Sequence, residues 1–334
     1  MISVEHLTKC YGDFMAVDDL SFEIDEGHVY GFLGPNGAGK STTMNIMTGC
    51  LSATAGHIKI DGYDIFDEAE KAKKLIGYLP EQPPLYMTET PVEYLRFVGE
   101  AKGLRGAALE QQIAEVIEQT KIEDVKERRI SDMSKGYKQR VGIAQALIGN
   151  PKVIILDEPT VGLDPIQIIE IRALIKELGR SHTVILSSHI LSEVQTICDE
   201  ILIISKGKLI AFDKPENLEK KLLTPNEIVI TAHMSDGEIQ GILSDISNIS
   251  VMRTEESGKG YVTAYLKTEE DDIYKVSGAV FSTFARKEKT LFEMTLKKAN
   301  LEDVFIELTE SGDTNQVKTA GNGKVEENRG GESK

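Results

Sequence analysis

The chain has 334 residues, 54 of them acidic and 38 basic, which gives a formal net charge of −16 and an isoelectric point near 5.0. This length leaves room for two domains, and the negative charge argues against electrostatic capture of nucleic acid or anionic lipid. Because the sequence has neither a long apolar run nor a secretory signal, it predicts a soluble chain that reaches a membrane only through a partner.

The first informative element is a predicted strand that runs into a glycine-rich loop. Apolar residues 29–33 precede Gly-Pro-Asn-Gly-Ala-Gly-Lys-Ser-Thr, which fits the phosphate-binding pattern GxxxxGK[ST]. The glycines let backbone amides approach a phosphate at the start of a helix, Lys40 adds charge for the β- and γ-phosphates, and Ser41 is suited to Mg²⁺. A glycine-rich turn without a ligand would not need all these features. The predicted nucleotide-binding residues are Gly34, Pro35, Asn36, Gly37, Ala38, Gly39, Lys40, Ser41 and Thr42.

Helical spacing of apolar residues dominates the region from about residue 89 to 145, after a first part that reads as short strands. The spacing is carried by Val92, Leu95 and Val98 and then by Ile113, Val116 and Ile117. This region ends at Met-Ser-Lys-Gly-Tyr-Lys-Gln-Arg over residues 133–140, which leads into another helical pattern.

A second motif follows at residues 152–160, where an apolar run of strand length ends in Asp157 and Glu158. Such a run is typical of a buried parallel strand, and its carboxyl end is where α/β sheets present ligands. Asp157 is suited to hold Mg²⁺, and Glu158 is suited to polarise the water that attacks a γ-phosphate. A solvated strand end is the alternative, but it is a poor reading beside a phosphate-binding loop.

Residues 133–140, together with these two motifs, make the chain resemble the nucleotide-binding subunits of ABC (ATP-binding cassette) transporters. Ser134 and Gly136 match the Ser and the second Gly of the family signature LSGGQ, while Lys135 and Tyr137 depart from it. A hydroxyl, a glycine and a helix N-terminus still offer a phosphate-binding surface, to which Lys135 would add positive charge. The Ser-Lys-Gly-Tyr form resembles that of bacterial export ATPases, which implies a working signature.

The resemblance implies roles for further residues. Tyr11 resembles the aromatic residue that stacks on adenine. Gln82 resembles the glutamine that meets Mg²⁺ and water and links the core to the helical insert. Residues 162–164 match the loop that crosses the dimer interface, and His189 matches the histidine that contacts the γ-phosphate.

The implied fold is an α/β P-loop ABC cassette over residues 1–222, with a helical subdomain at about 89–145 and a last strand at 201–204. Residues 223–310 predict β-α-β-β-α-β followed by a helix at 301–308, which indicates a small α+β, ferredoxin-like regulatory or interaction domain. Residues 311–334 are nearly devoid of bulky apolar residues and predict a disordered tail.

The resemblance also implies a mechanism, in which two copies, or one copy and a paralogue, enclose two Mg-ATP molecules head to tail. Each site would take Tyr11, the phosphate-binding loop, Gln82, Asp157, Glu158 and His189 from one chain, and Ser134 and Gly136 from the other. ATP hydrolysis would then power export through a separate membrane permease, with the cassette cytoplasmic and peripheral on the inner face of the membrane.

Two other classes of protein stay open. A soluble ABC ATPase acting on DNA or ribosomes lacks the support of a coiled-coil insertion or a duplicated cassette. A P-loop kinase or switch would not need Ser134, Gly136 or Glu158.

Overall fold

An antiparallel sheet opens the fold in the computed structural model, which describes residues 1–297 apart from 222–225, 257, 259, 269 and 271. Its strands are β1 (Ile2–Tyr11), β2 (Phe14–Ile24), β4 (Ala55–Ile60) and β5 (Tyr63–Asp64), in the order β2-β1-β4-β5. Ile2, Val4 and Leu7 of β1 are buried, as are Leu20 and Ile24 of β2. One face of this sheet therefore packs on the apolar core.

A second sheet of six strands carries the motifs. Its order is β10-β9-β3-β8-β7-β6, and all neighbours are parallel except β9 and β10. Every residue of β3, β7 and β8 is buried, as expected for strands covered on both faces. The strands predicted around the two nucleotide motifs are thus confirmed. The bounds are β3 (Val29–Leu33), β6 (Ile76–Leu79), β7 (Val153–Leu156), β8 (Thr183–Ser188), β9 (Glu200–Ser205) and β10 (Lys208–Asp213).

The last strand of this sheet is β10, so the prediction that the sheet ends at residues 201–204 was wrong. Lys206 and Gly207 both have positive φ, at 49° and 81°, which suits a tight turn between antiparallel strands. The chain therefore folds back on β9 instead of leaving the sheet. Gly207 also donates its N–H to Ala38 O at 3.0 Å, which ties this hairpin to the phosphate-binding loop.

The helices of the first 221 residues are α1 (Lys40–Met47), α2 (Ala69–Lys74), α3 (Pro91–Ala101), α4 (Gly106–Thr120), α5 (Lys135–Leu147), α6 (Pro165–Leu178), α7 (Leu191–Ile197) and α8 (Pro215–Lys221). Short 3-10 turns occur at Glu123–Val125 and Ile130–Asp132. Among the helices that the structure describes, none is long and apolar enough to cross a bilayer.

The region predicted to be helical, residues 89–145, contains α3, α4, the two 3-10 turns and most of α5. Thr90 and Glu93 form a reciprocal cap at the beginning of α3, with N–H···O distances of 2.8 and 3.3 Å. Leu95 and Val116 are buried in the same apolar cluster as the strands β7 and β8. Helices therefore occupy most of this region, and their packing fixes α5 beside the sheet.

The later part of the chain contains β11 (Asn226–His233), α9 (Asp236–Leu243), β12 (Ser250–Glu256), β13 (Tyr261–Thr268), α10 (Ile273–Arg286) and β14 (Leu291–Lys297). The sheet is antiparallel, in the order β12-β13-β11-β14. Ile230, Leu266, Ile239 and Phe284 belong to one apolar cluster, which joins this sheet to both helices. The helix predicted at 301–308 and the tail predicted at 311–334 lie outside the described residues.

Candidate nucleotide-binding site

The loop between β3 and α1 forms a concave backbone surface. Gly37 and Gly39 have φ values of 80° and 104°, a region that strongly favours glycine. A Cβ at Gly39 would collide with Ala16 O, so the loop also needs glycine for its close approach to the neighbouring backbone. The loop leads directly into the first turn of α1, and its backbone amides fit the oxygens of a phosphate group.

Lys40 is buried beneath this loop, with 5% of its surface exposed. Its Nζ donates to Gly34 O at 2.8 Å and to Pro35 O at 3.3 Å, and lies 3.4 Å from Glu158 Oε1. These contacts hold the ammonium at the loop and next to the carboxylate that follows β7. The arrangement suits neutralisation of a bound polyphosphate.

Ser41 and Asp157 are directly joined, although they lie 116 positions apart in the sequence. Ser41 Oγ donates to Asp157 Oδ1 at 3.1 Å, and Ser187 Oγ donates to the same oxygen at 2.6 Å. Hydroxyl and carboxylate oxygens are hard ligands of the kind that Mg²⁺ prefers, and substrate phosphates commonly complete such sites. The donor set therefore fits Mg²⁺ at this end of β7.

A partly buried phenol lies close to this pair. Tyr78 Oη donates to Asn45 Oδ1 at 3.2 Å, and Asn45 Nδ2 donates to Ser41 O at 2.8 Å. Burial, and secondarily the charge of Asp157, raise the pKa of Tyr78 well above its ordinary value. The phenol consequently stays protonated at neutral pH and helps to fix α1 against β6.

Glu158 has a positive φ of 48°, which is uncommon for a residue with a side chain. Its N–H donates to Ser187 Oγ at 2.7 Å, and its Oε2 is 3.0 Å from His189 Nδ1. Contacts at the backbone and on both carboxylate oxygens therefore define the position of this buried side chain. An oriented carboxylate paired with an imidazole suits the activation of a water molecule.

These groups converge on a cavity of about 330 Å³, whose lining includes the loop, Lys40, Ser41, Glu158, His189 and Tyr11. Phe14 also lines the cavity and is the β-pair partner of Tyr11. Phe14 was not predicted as a site residue, although an aromatic residue on each side of Gly12-Asp13 was a signal for two rings at the end of one hairpin. Both rings are exposed enough to receive a flat ligand.

Gln82, a predicted ligand of Mg²⁺, is not among the residues that line the cavity. Its side chain is exposed, whereas the neighbouring Glu81 does line the cavity. The structure thus brings together most of the predicted residues of one chain, but not this glutamine.

Ser134 and Gly136 lie at the start of α5 and do not line the cavity either. Ser134 Oγ accepts from Tyr137 N at 3.4 Å, which makes it the N-terminal cap of that helix. Gly136 is buried, and a Cβ there would overlap the side chain of Gln167 on α6. Ser134 is therefore exposed at a helix N-terminus outside the cavity, and Gly136 is buried next to it.

Lys135 packs against the loop before α6. Its ammonium occupies the space that a Cβ at Gly162 would take, and Asp164 caps α6 by accepting from Gln167 N at 2.9 Å. The lysine that replaces the first glycine of the signature therefore lies against Gly162 of its own chain. Tyr137 Oη donates to Asp124 at 2.8 Å and so anchors the same helix start to the helical region.

Comparison with known proteins gives a consistent picture. A family model described as "ABC transporter" matches residues 17–161. The chain is 32% identical over 308 residues to the uncharacterized ABC transporter ATP-binding protein YxlF of Bacillus subtilis (strain 168), covering 92% of this chain and 99% of that protein. It is 33% identical over 314 residues to the bacitracin transport ATP-binding protein BcrA of Bacillus licheniformis, covering 93% and 98% of the two chains.

Solved structures agree with these sequence matches. The dimeric structure of MJ0796, a bacterial ABC transporter cassette, matches with a TM-score of 0.59 and 28% identity, over 64% of this chain and 98% of that one. A post-hydrolysis state of the same cassette bound to ADP and Pi matches with a TM-score of 0.58 and 27% identity, again over 64% and 98% of the two chains.

Proposed function

Because the chain belongs to the ATP-binding subunits of ABC transporters, a family of ATPases, we propose that it powers the export of a substrate through a separate membrane permease. The observation that carries the proposal is the convergence of Lys40, Ser41, Glu158 and His189 on one cavity, with Asp157 joined to Ser41. This set combines phosphate binding, a metal position and a water-activating pair. A simple nucleotide switch would not need the last of these.

In the proposed mechanism, residues 34–42 hold the triphosphate through backbone amides, and Lys40 moves its ammonium contacts from Gly34 O and Glu158 to phosphate oxygens. Ser41 and Asp157 would hold Mg²⁺, and Gln82 would join them after its loop moves toward the cavity; the ion would neutralise charge on the phosphates. Glu158 accepts a proton from the attacking water, and His189 orients Glu158 and contacts the γ-phosphate. Tyr11 stacks on the adenine, and Phe14 adds a second ring.

We further propose that Ser134 and Gly136 complete the site of another cassette. The proposal is supported by their position outside the cavity of their own chain, at a helix N-terminus suited to phosphate. The MJ0796 cassette, which the chain resembles, was solved as a dimer. Two copies of the chain, or one copy and a paralogue, would therefore close around two ATP molecules.

The permease contact is proposed to lie at the apolar segment that follows Gln82. Leu85 packs partly buried against the core, which agrees with a loop that is tucked into the protein. Tyr86, however, is 47% exposed, and its ring lies 5.6 Å from that of Tyr94 and 5.1 Å from that of Phe97. The exposed rings of Tyr86 and Phe97 suit contact with a cytoplasmic helix of the permease.

The direction of transport and the role of the C-terminal region are parts of the same proposal. Relatives named for bacitracin transport and for linearmycin resistance support export, with the cassette at the inner face of the membrane. Residues 223–310 would form a ferredoxin-like regulatory or interaction domain. The sheet order β12-β13-β11-β14 and the helices α9 and α10 support this proposal.

Phosphate release by the purified chain tests the proposed chemistry. With ATP and Mg²⁺, the wild-type protein should release phosphate and a Glu158→Gln variant should not. A wild-type protein that fails to bind ATP would overturn the proposal.

A further inference from the structure

Glu193 on α7 is a buried carboxylate that bridges several segments of the chain. It is 3% exposed, and its Oε2 accepts from Thr160 Oγ1 at 2.6 Å and from Ser188 Oγ at 3.2 Å. Its Oε1 lies 3.2 Å from a terminal nitrogen of Arg172 on α6. Burial of a carboxylate is costly unless it is paired and hydrogen-bonded, and here both oxygens are engaged. The sequence motifs indicate no role for Glu193, Arg172 or Ser188.

The partners of Glu193 adjoin the residues proposed to hydrolyse ATP. Thr160 follows Glu158 by two positions, and Ser188 directly precedes His189. Ser188 Oγ also accepts from Ile190 N at 3.0 Å, which closes the turn around His189. One carboxylate therefore joins the loop after β7 to the end of β8.

We propose that Glu193 is a positioning residue that keeps Glu158 and His189 in their hydrogen-bonded geometry; this inference rests on the proposed ATPase function. Glu158 occupies the left-handed region, and such a conformation persists only where its surroundings hold it in place. Backbone contacts in the loop that follows are long, with Val161 N to Glu158 O at 3.2 Å and Leu163 N to Thr160 O at 3.2 Å. The bridge through Thr160 supplies the constraint that these contacts lack.

Two consecutive serines contact different parts of the site, which supports this role. Ser187 Oγ contacts Asp157 Oδ1 and the N–H of Glu158, and so fixes the end of β7 directly. Ser188 Oγ instead reaches Glu193 and, through it, Thr160. The two hydroxyls thus fix the segments on either side of the Glu158–His189 contact.

Arg172 extends the bridge to α6, which begins directly after Asp164. Its Nε is buried and has no hydrogen-bond partner among the described residues, so its guanidinium depends on the pair with Glu193. Neutralising Glu193 alone would leave this cation without its partner. A double variant, Glu193→Gln with Arg172→Gln, removes both charges. It therefore shows whether activity is lost because Glu158 and His189 are no longer positioned or because Arg172 is left as an unpaired buried cation.

The test compares kcat, KM for MgATP and the melting temperature of the full chain across Thr160→Val, Glu193→Gln and the double variant. Each should lower kcat roughly tenfold or more, because small displacements of catalytic groups reduce rates strongly. KM and ATP affinity should stay within about twofold, because the phosphate-binding loop is untouched. Glu177→Gln is the matched control. Glu177 lies on α6, as Arg172 does, and forms an exposed ion pair with Arg180, so its loss should not change kcat.

Wild-type kcat in both Glu193→Gln and Thr160→Val would overturn the positioning role, and so would a parallel fall of kcat, ATP affinity and melting temperature. If Glu193→Gln does not fold, Thr160→Val decides, since it preserves shape and removes only the hydroxyl. If the wild type is active and Glu158→Gln is inactive, full activity of both Glu193→Gln and Thr160→Val would reject this inference and leave the proposed function standing. An inactive wild type would reject the proposed function instead.

Discussion

Lys40 and Glu158 form a buried ion pair across the nucleotide site, with Nζ 3.4 Å from Oε1 and side-chain exposures of only 5% and 9%. The pair links the residue proposed to bind phosphate to the residue proposed to activate water. Binding of a triphosphate requires Lys40 to exchange this partner for phosphate oxygens. The exchange would leave the Glu158 carboxylate with His189, whose Nδ1 is 3.0 Å from Oε2.

Substitution of Lys40 is therefore expected to reduce ATP binding, whereas substitution of Glu158 is expected to reduce ATP turnover. Lys40→Ala should weaken ATP binding and abolish hydrolysis, because it removes the buried positive charge. Glu158→Gln should retain binding and lose turnover by a factor of about a hundred or more, since an amide cannot accept the proton. Nucleotide affinity and ATPase rate, measured on the same preparations, check both expectations. Near-normal turnover in Glu158→Gln would remove this residue from the catalytic role.

Metal dependence should be sensitive to Asp157. Asp157→Asn keeps the size of the side chain but lowers its affinity for a hard cation, so more Mg²⁺ should be needed for half-maximal ATPase activity. Chelation of Mg²⁺ should abolish hydrolysis in the wild type. A titration of activity against Mg²⁺ concentration measures the shift. An unchanged titration curve in the variant would place the metal elsewhere.

Most of the nucleotide site could be predicted from the sequence because its residues stand in contiguous motifs. The strand, loop and helix around Lys40, and the strand that ends before Asp157, have strong local patterns. Ser187 and Glu193 could not be predicted in the same way. Their contacts with Asp157 and Thr160 span 30 and 33 positions, and neither residue stands in a motif that specifies such a partner.

The fold shows a similar limit. Buried strands such as β7 were predicted because they are uniformly apolar, and α4 was predicted because its apolar residues recur at helical spacing. Strand β10 was missed because its residues are only partly buried and the Lys206-Gly207 turn resembled the end of the sheet. Pairing with β9 depends on the tertiary fold, which local patterns do not specify.

The exposed ring of Tyr86 gives a test of the permease contact. Tyr86→Glu should leave ATP binding intact and reduce transport coupled to ATPase activity, because a charge in an apolar interface is costly. Leu85→Glu is less selective, since Leu85 also packs on the core. Phe66→Glu, at another exposed aromatic residue, is a control that should retain coupling. Normal assembly and transport in Tyr86→Glu would argue against this contact site.

Acid sensitivity is expected at Asp64 in β5. Burial raises its pKa, but hydrogen bonds from Phe66 N at 2.8 Å and Asp67 N at 3.1 Å, with a smaller contribution from His57, produce a net lowering. A lowered pKa in the folded chain stabilises it above the unfolded pKa, and this contribution is lost as the pH falls through the folded value.

Asp64→Asn should therefore reduce the free energy of unfolding at pH 7 by about 1 kcal/mol, and the difference from wild type should shrink below about pH 4. Urea unfolding between pH 3 and pH 7 measures this difference; Asp67→Asn, at the exposed neighbour, should show little of it. A difference between wild type and Asp64→Asn that is independent of pH would contradict the assignment.

The composite site is the central claim, and ATP-dependent association of Glu158→Gln protein tests it most directly. If Ser134 and Gly136 contact the γ-phosphate held by another cassette, this variant should dimerise with ATP and stay monomeric with ADP. Adding Ser134→Arg should abolish the dimer and leave ATP binding by the monomer largely unchanged. Size-exclusion chromatography with light scattering measures the oligomeric state with each nucleotide, first for the purified chain and then for its complex with the permease. Dimers that form equally with ATP, ADP or no nucleotide, or that persist with Ser134→Arg, would contradict the account.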